Sequence, residues 1–485
     1  MKMDHSYILA CLLIMAAQLT GSAQTQTNPW VSLTLLDLQG IHDTLRDNHP
    51  GPVDPENSRY RIWLEEGLKQ SSARAQSVRS YSDYNRVLLF YTNGFQDGHL
   101  GAVLDVRPEE IRWPGFIVGS DDRGEPQIVY AEPDSGVKVG DQLIGCDARS
   151  VGDLMKERVD PYYWNSAIPH QRPQLFHYLF ELDPRETTFR LKSCRFSSGE
   201  TTLKWRRTDR RAFEKTLAAA LRLVQGELSI TQVNGVWLIK IPTLAFIGEA
   251  RVKNVRDFLT KLQGKAEDLR SSTVVFDVRG NHGGDSSWAM EIAAVLWGQA
   301  WVKYVNDGFD GTTDWRVSPA NIKWMEYMVT RQQNAGLKDS ANYDKQVVEA
   351  MKAAAAAGQP LARMNNPAKP GTKPSENPVT GHVYFLTDNA CASACLNFAD
   401  LMRRLPGVTH IGLPTSADAL YIDNTTADLP SGLGVLGYSL KVNRHHVRGN
   451  NEWYEPQVRW TSGAMTDDSI TKWVLALAGE PRTAN

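Results

Sequence analysis

One serine lies where an apolar strand is followed by the first turn of an apolar helix. The segment DNACASACLNFADLMRRL spans 388–405, and its apolar residues from Phe398 to Leu405 recur at helical spacing. Ser393 stands at the start of this helix, where free backbone N–H groups and the helix dipole can stabilise an oxyanion. Such a position suits a nucleophile. Considered alone, however, the segment favours a simple helix N-cap, because serine is a preferred capping residue.

A glycine-rich turn follows a second apolar strand. In FDVRGNHGGDSS at 276–287, the glycines let the backbone approach a ligand closely and present N–H donors to it. The spacing matches neither GxGxxG nor a Walker loop, so this turn gives no indication of nucleotide binding.

The elements around these two turns alternate between strand and helix. The predicted elements are strands in 235–244, 271–284 and 382–388, and helices at Ala250–Leu262, Ser286–Trp297 and Ala394–Leu405. This alternation predicts an α/β fold with parallel strands and crossover connections. Residues 305–378 interrupt the alternation with a polar, helical insertion that is typical of a lid or cover.

Two further regions precede this α/β part. Residues 30–96 have the apolar periodicity of helices, and QDGHLG at 96–101 leads from them into an extended stretch. Residues 114–207 are rich in short strands separated by turns. Within them, SGVKVGDQLIGCDARSVGDLM at 135–155 resembles a PDZ domain, a fold that binds an extended peptide at a sheet edge. Any other small β-domain is the alternative.

The order of these segments resembles the tail-specific or C-terminal processing serine proteases. The resemblance rests on the PDZ-like part, the DVRGNHGG strand and turn, the Ser393 helix start, GLPTSADALY at 412–421 and NNEWYEPQVRW at 450–460. It covers roughly residues 30–478. The family implies a core resembling the crotonase and Clp protease folds, with an N-terminal helical region and a PDZ-like β-domain. It also implies a serine endopeptidase that takes polypeptide substrates and needs no metal or cofactor.

The general base departs from the commonest pattern of that family. Many members carry a lysine shortly after the Gly-x-Pro-Thr turn, where this chain has Asp418, and no lysine occurs between Arg404 and Lys441. The tricorn-like branch of the family instead pairs the serine with a histidine from the helical region and an acidic residue near the C-terminus. That resemblance nominates His99 as the base and Glu452 as its acidic partner.

Other residues compete for these roles. Glu455 is close enough to Glu452 to replace it, and His282 adjoins the glycine turn. The other competing histidines are His410, His445 and His446. The backbone N–H groups of Gly283 or Gly284, together with that of Ala394, are the predicted oxyanion hole.

Cysteines bracket the nucleophile candidate. Cys391 and Cys395 lie on either side of Ser393, and a thiol nucleophile is an alternative in principle. We expect both to be small buried packing residues instead, and a disulfide between them is an open alternative. Because no second pair has metal-site spacing, zinc is not expected. Cys146 and Cys194 both fall in the PDZ-like part, where a disulfide is an open alternative in an oxidising compartment.

Composition sets the wider limits. The 485 residues suggest roughly three domains, and the net charge of −2 gives no global reason to bind nucleic acid or an anionic membrane. An apolar run at 8–17 followed by small residues predicts a secretory signal at 1–23, hence a periplasmic or secreted chain that is not membrane-bound after cleavage. The predicted domains are a helical region at 24–113, a PDZ-like domain at 114–207 and a protease core at 208–485. An inactive peptide-binding protein and an esterase or acyl transferase are the alternative functions.

Overall fold

A computed structural model describes residues 28–105, 108–121, 123–184, 189–221, 226–246, 248–463 and 465–479. The predicted signal segment at 1–23 lies outside these residues. In the part of the chain that the structure describes, every helix is too short or too polar to cross a lipid bilayer.

The N-terminal region forms three helices, as its periodicity predicts. They are α1 (Pro29–Asn48), α2 (Ser58–Ala75) and α3 (Tyr81–Asn93), with a short 3-10 helix at Gly51–Val53 between the first two. Each of the three begins at a polar cap: the side chains of Asn28, Asn57 and Ser80 accept hydrogen bonds from backbone N–H groups of the first turn. A loop after α3 carries His99 and continues directly into the next strand.

Short strands dominate the following region. The strands are β1 (Gly101–Leu104), β2 (Glu110–Trp113), β3 (Phe116–Ser120), β4 (Pro126–Ala131), β5 (Leu143–Cys146), β6 (Arg149–Ser150), β7 (Ser193–Phe196), β8 (Gly199–Thr202) and β9 (Arg206–Asp209). The helical elements between β6 and β7 are α4 (Val151–Arg158), α5 (Asp160–Tyr163) and a 3-10 segment at Pro169–Phe180. The predicted wealth of strands is confirmed, and the PDZ-like identity of the region stays a prediction.

One disulfide joins two strands of this region. Cys146 on β5 and Cys194 on β7 are opposite one another in an antiparallel pair, and their sulfur atoms are bonded. The bond links the two central strands of a four-stranded sheet in the order β6-β5-β7-β8. Of the two alternatives left open by the sequence, the paired state is therefore the one observed.

The rest of the chain supplies two larger sheets and their helices. Its elements are, in chain order, α6 (Arg210–Ala220), β10 (Ser229–Val233), β11 (Val236–Lys240), α7 (Glu249–Gln263), α8 (Ala266–Ser271), β12 (Thr273–Asp277), α9 (Ser286–Trp297), α10 (Gln299–Asp307), β13 (Thr313–Arg316), α11 (Pro319–Asn334), α12 (Lys338–Ala356), β14 (Leu361–Met364), β15 (His382–Thr387), α13 (Ala394–Met402), β16 (Val408–Gly412), β17 (Tyr421–Asp428), β18 (Gly434–Asn443), β19 (Val458–Arg459) and α14 (Asp467–Gly479).

A six-stranded sheet has the predicted parallel pairing. Its order is β10-β11-β12-β15-β16-β19, and every pair beyond the β10–β11 hairpin is parallel. Both faces are covered: Phe276 and Phe385 pack with Phe398 of α13 on one face, and Val275 packs with Ile470 of α14 on the other. Burial on both faces explains why these strands are continuous apolar runs.

The second large sheet was not evident from the sequence. Its five strands are antiparallel, in the order β1-β18-β13-β14, with β17 also paired to β18. The predicted insertion at 305–378 does contain two long helices, α11 and α12, but it also contributes β13 and β14 to this sheet. The pairing of Gly101 with Gly437 ties the His99 loop to the C-terminal part of the chain.

Candidate active site

Ser393 occupies a sharp turn between β15 and α13. Its φ of 55° and ψ of −125° fall outside helical and extended values, and its side chain makes no capping hydrogen bond. The interpretation as a simple N-cap is therefore wrong. A non-glycine residue in this conformation is strained, and such strain is frequent at functional turns that carry a nucleophile.

A disulfide spans this turn. Cys391 and Cys395 are bonded to one another and are fully buried. Their expected burial is confirmed, and the disulfide that the sequence left open is formed, because the turn brings these two residues, four apart in sequence, within bonding distance. Since both sulfur atoms are used in the bond, neither is a thiol nucleophile in this state.

The glycine turn after β12 packs against the serine turn. A Cβ placed on Gly283 would lie 2.7 Å from the Ser393 Cβ and 2.8 Å from the Ala392 carbonyl oxygen. Gly283 and Gly284 also have φ values of 101° and 138°. Only glycine meets both requirements without strain, so the sequence GG at this place follows from the close approach of the two turns.

Asn281 fixes the glycine turn and was missed by sequence reasoning. Its side chain is fully buried; its Nδ2 donates to the Ile241 carbonyl at 2.8 Å and its Oδ1 accepts the Gly283 N–H at 2.8 Å. The backbone carbonyl of Asn281 accepts the Ala392 N–H at 3.4 Å. An asparagine in a glycine-rich turn gives little sequence signal, because its role depends on neighbours from distant segments.

Two backbone N–H groups beside Ser393 are unused. Within the described residues, the N–H groups of Ala394 and Gly284 donate to no acceptor, whereas that of Gly283 donates to Asn281. Ala394 is the first residue of α13, where N–H groups have no partner inside the helix. Of the two glycines left open by the sequence, Gly284 therefore has the available donor.

His99 and Ser393 line one cleft of about 1400 Å³. Its far wall includes Met328 and Arg331 of α11, so the predicted insertion does border the site. Among the described residues, no hydrogen bond joins the His99 ring to Ser393. His99 reaches the cleft from the loop before β1, far from Ser393 in sequence.

The other histidines are placed differently. His282 is exposed and lines the cleft, and His446 lines it too. His410 is a fully buried residue of β16, and its ring contacts Thr387 and Arg403 at 2.8 Å each. Burial lowers the pKa of His410 to about 3, with the Arg403 charge acting in the same direction. His410 is therefore a structural residue.

The His99 ring lies beside a buried aspartate. Its Nδ1 is 3.9 Å from Asp97 Oδ1, and the same oxygen accepts the backbone N–H of His99 at 2.9 Å. The Asp97 side chain is only 2% exposed. A short Asp-Gly-His segment thus places a carboxylate and an imidazole next to one another.

The two predicted acidic partners lie at the surface. Glu452 is exposed, and its carboxylate accepts the Gly449 N–H. Its backbone forms an antiparallel bridge with Asp418, which keeps this segment near the cleft. Glu455 is also exposed; it accepts a hydrogen bond from the Trp453 indole at 3.2 Å. The catalytic role of Glu452 stays a prediction.

Asp418 contacts the Ser393 turn directly. Its side chain is buried, and its Oδ2 accepts the Ser393 N–H at 2.6 Å. Burial raises the pKa of the Asp418 carboxyl, while the neighbouring His99 and Arg448 charges act to lower it. From the sequence, this position stands out only because it holds an aspartate where many members of the resembling family carry a lysine.

A protein-family comparison matches the part of the chain that holds these turns. Residues 235–452 match the model of Peptidase family S41, a range that contains Ser393, the glycine turn and Glu452 but not His99. No curated protein sequence is similar enough to count as a relative.

Solved structures resemble a larger part of the chain. A CPAF mutant is 13% identical, with a TM-score of 0.64 and coverage of 94% of this chain and 99% of that one. Mature CPAF is 14% identical, with a TM-score of 0.57 and coverage of 89% and 93%. Mature CPAF complexed with lactacystin is 15% identical, with a TM-score of 0.58 and coverage of 89% of this chain and 94% of that one. These likenesses show a shared mixed α/β protease fold. Residues 235–452 match the Peptidase family S41 model, and the chain is a serine-type peptidase.

Proposed function

We propose that the chain is an exported serine endopeptidase that cleaves extended or unfolded polypeptides, with Ser393 as nucleophile and His99 as general base. The observation that carries the proposal is the strained turn at Ser393, which lies beside two unused N–H donors in the cleft that His99 also lines. The tricorn-like branch is part of the proposal through the sequence resemblance, which nominates Glu452 as the acidic partner of His99.

The proposed reaction uses each of these groups once. A serine hydroxyl does not ionise near neutral pH, so His99 takes its proton as Ser393 Oγ attacks the substrate carbonyl carbon. The negative charge that develops on the carbonyl oxygen is stabilised by the N–H groups of Gly284 and Ala394. His99 then gives the proton to the leaving amine as the C–N bond breaks. Water repeats the sequence on the acyl-enzyme and releases Ser393.

Two features support a polypeptide substrate. The volume of the cleft, about 1400 Å³, is large enough to hold several peptide residues. Its walls come from the residues that match the S41 model, α11 among them, and from the loop that carries His99. The proposed PDZ-like region contacts the edge of the site: the His170 ring contacts the Thr415 carbonyl at 2.9 Å. We infer that this region guides an extended chain into the cleft.

Export is supported by the predicted signal at 1–23 and by the disulfides. Both pairs among the described residues, Cys146–Cys194 and Cys391–Cys395, are bonded. Disulfides persist in oxidising compartments such as the periplasm or the extracellular space.

A covalent probe tests the proposal. Purified chain is treated with a fluorophosphonate, and the labelled peptide is mapped; unfolded casein and a simple ester are then offered as substrates. Labelling at Ser393 together with casein cleavage supports the proposal. Failure to label indicates the inactive peptide-binding alternative, and turnover of the ester alone indicates an esterase. Ser393→Ala is expected to abolish labelling and cleavage, whereas Ser271→Ala, an exposed serine of the same domain, is the control.

A further inference from the structure

Four buried polar atoms around Asp97, next to the His99 ring, lack hydrogen-bond partners among the described residues. They belong to the Asp97 cluster, defined as His49, Tyr60, Asp97 and His99, and are His49 Nε2, Tyr60 OH, Asp97 Oδ2 and His99 Nδ1. A buried polar group without a partner usually costs stability, so four at one place indicate a functional arrangement.

The Asp97 carboxylate stands between two imidazole rings. Its Oδ2 is 3.7 Å from His49 Nε2, and its Oδ1 is 3.9 Å from His99 Nδ1. The hydrogen bond from the backbone N–H of His99 to Asp97 Oδ1, at 2.9 Å, fixes the carboxylate close to the ring. In the absence of substrate, catalytic hydrogen bonds are often long and shorten when the complex forms.

The tautomer of His49 follows from its contacts. The Gly51 N–H donates to His49 Nδ1 at 3.0 Å, so Nδ1 is an acceptor and the ring proton lies on Nε2, the nitrogen nearest Asp97. Burial lowers the pKa of His49, which keeps the ring neutral. Stacking on Tyr60 at 4.5 Å and an edge contact with Tyr421 at 4.8 Å hold it in place.

We propose that Asp97 is the positioning residue of the general base: it accepts the Nδ1 proton of His99 and leaves Nε2 as the basic nitrogen, while His49 donates to the other carboxylate oxygen. The inference rests on the proposed role of His99. A carboxylate at Nδ1 fixes the tautomer of the base and stabilises the imidazolium that forms in the reaction.

The other carboxylates near the site are less suited to this role. Glu452 is exposed and accepts the Gly449 N–H. Asp418 is buried near His99, but one of its oxygens accepts the Ser393 N–H. The charged and titratable groups near Asp97 and His99 include His49, Tyr60 and Asp418, with Asp54 and Arg316 acting on His49 and Arg448 acting on Asp418. His446 and Arg448 also line a cavity that His99 lines.

The test compares Asp97→Asn with Glu452→Gln in the full chain. The asparagine retains an oxygen for the His99 N–H but removes the charge. We expect Asp97→Asn to lower kcat by ~10²–10⁴-fold with little change in KM, as at other triads. We also expect the acid limb of kcat/KM to move to lower pH, because the imidazolium loses its counter-charge. A purely structural role would not move that limb.

A second variant covers the case in which Asp97→Asn does not fold. His49→Phe removes a donor to Asp97 without touching the His99 ring, so the carboxylate holds the imidazolium more strongly and the acid limb moves to higher pH. An unchanged acid limb in either folded variant overturns the inference, as does a shift seen only in Glu452→Gln. If Ser393→Ala is inactive while Asp97→Asn matches the parent, only this inference fails. If Ser393→Ala stays active, the proposed function fails first.

Discussion

The backbone N–H of Ser393 donates to Asp418 Oδ2 at 2.6 Å. This contact joins the nucleophile turn to the segment that follows β16, at the place where many similar proteases carry a lysine. It gives the turn a hydrogen-bond acceptor from outside its own loop, and it assigns Asp418 a structural purpose that its sequence position alone does not suggest.

Replacing Asp418 tests that purpose. From the sequence, Asp418→Ala should be almost harmless, but the contact changes this expectation. Asp418→Ala leaves the Ser393 N–H without an acceptor, which we expect to lower the free energy of unfolding by about 1–3 kcal/mol and to slow fluorophosphonate labelling. Asp418→Asn keeps an acceptor oxygen and is the matched control. Denaturant unfolding and labelling rates measure the effects; equal behaviour of the two variants would show that the contact is unimportant.

The approach of the glycine turn can be tested with a matched pair of glycines. Gly283→Ala places a methyl group 2.7 Å from the Ser393 Cβ, so we expect the nucleophile turn to shift and kcat to fall by at least ~10²-fold. Gly235 also has a positive φ, 82°, but open space around it. Gly235→Ala also places a side chain at a positive φ, but the added methyl group meets no neighbour, so kcat should stay near the parent value. Steady-state kinetics with a fluorogenic peptide distinguish the two; comparable losses would mean that strain alone is responsible.

We expect the two disulfides to contribute differently, one mainly to stability and the other mainly to the reactivity of Ser393. Cys146–Cys194 joins residues 48 apart and Cys391–Cys395 residues four apart. In the chain-entropy model, these loops correspond to about 4 and about 2 kcal/mol of stability. The double variant C146A/C194A should therefore lower the unfolding free energy more, whereas C391A/C395A should slow the labelling of Ser393 more because it frees the turn. Thermal unfolding and labelling rates, measured side by side, test this; a larger labelling defect in C146A/C194A would contradict it.

A pH-dependent contribution to stability is expected from Asp344 on α12. Burial raises its pKa to about 6, and the nearby Asp423 charge acts in the same direction. Because the folded pKa lies above the unfolded value of about 3.9, the stabilising contribution is present below pH ~4 and is lost as the pH rises through ~6. Asp344→Asn should gain stability relative to the parent at pH 8 but not at pH 4. Asp339→Asn, an exposed position on the same helix, is the control.

Local signals predicted much of the fold. The helix at Ser286–Trp297 was predicted with its observed bounds because its apolar face, a polar start and a following glycine all agree. The parallel strands were predicted because burial on both faces leaves continuous apolar runs. In contrast, β13 and β14 are four residues long, lie next to long helices and pair with β18 or with one another across the insertion, so their strand character depends on distant partners.

The site was predicted less completely, for a similar reason. Ser393, His99 and Gly284 were nominated from motifs, and the structure brings them to one cleft. Asp97 was overlooked although it stands two residues before His99, since its environment is set by His49 and Tyr60 of the first two helical segments. The burial of Asp97 and the tautomer of His49 are set only when the core has assembled, so the local sequence around position 97 does not show them.

The pairing of β1 with β18 has a consequence for when the protein becomes active during synthesis. The histidine loop is anchored by a strand whose partner is made near the end of the chain, at Gly434–Asn443. A chain that emerges N-terminus first therefore cannot assemble its cleft until β18 has been made. The delay that long-range pairing imposes on folding also protects the biosynthetic machinery from the nascent enzyme.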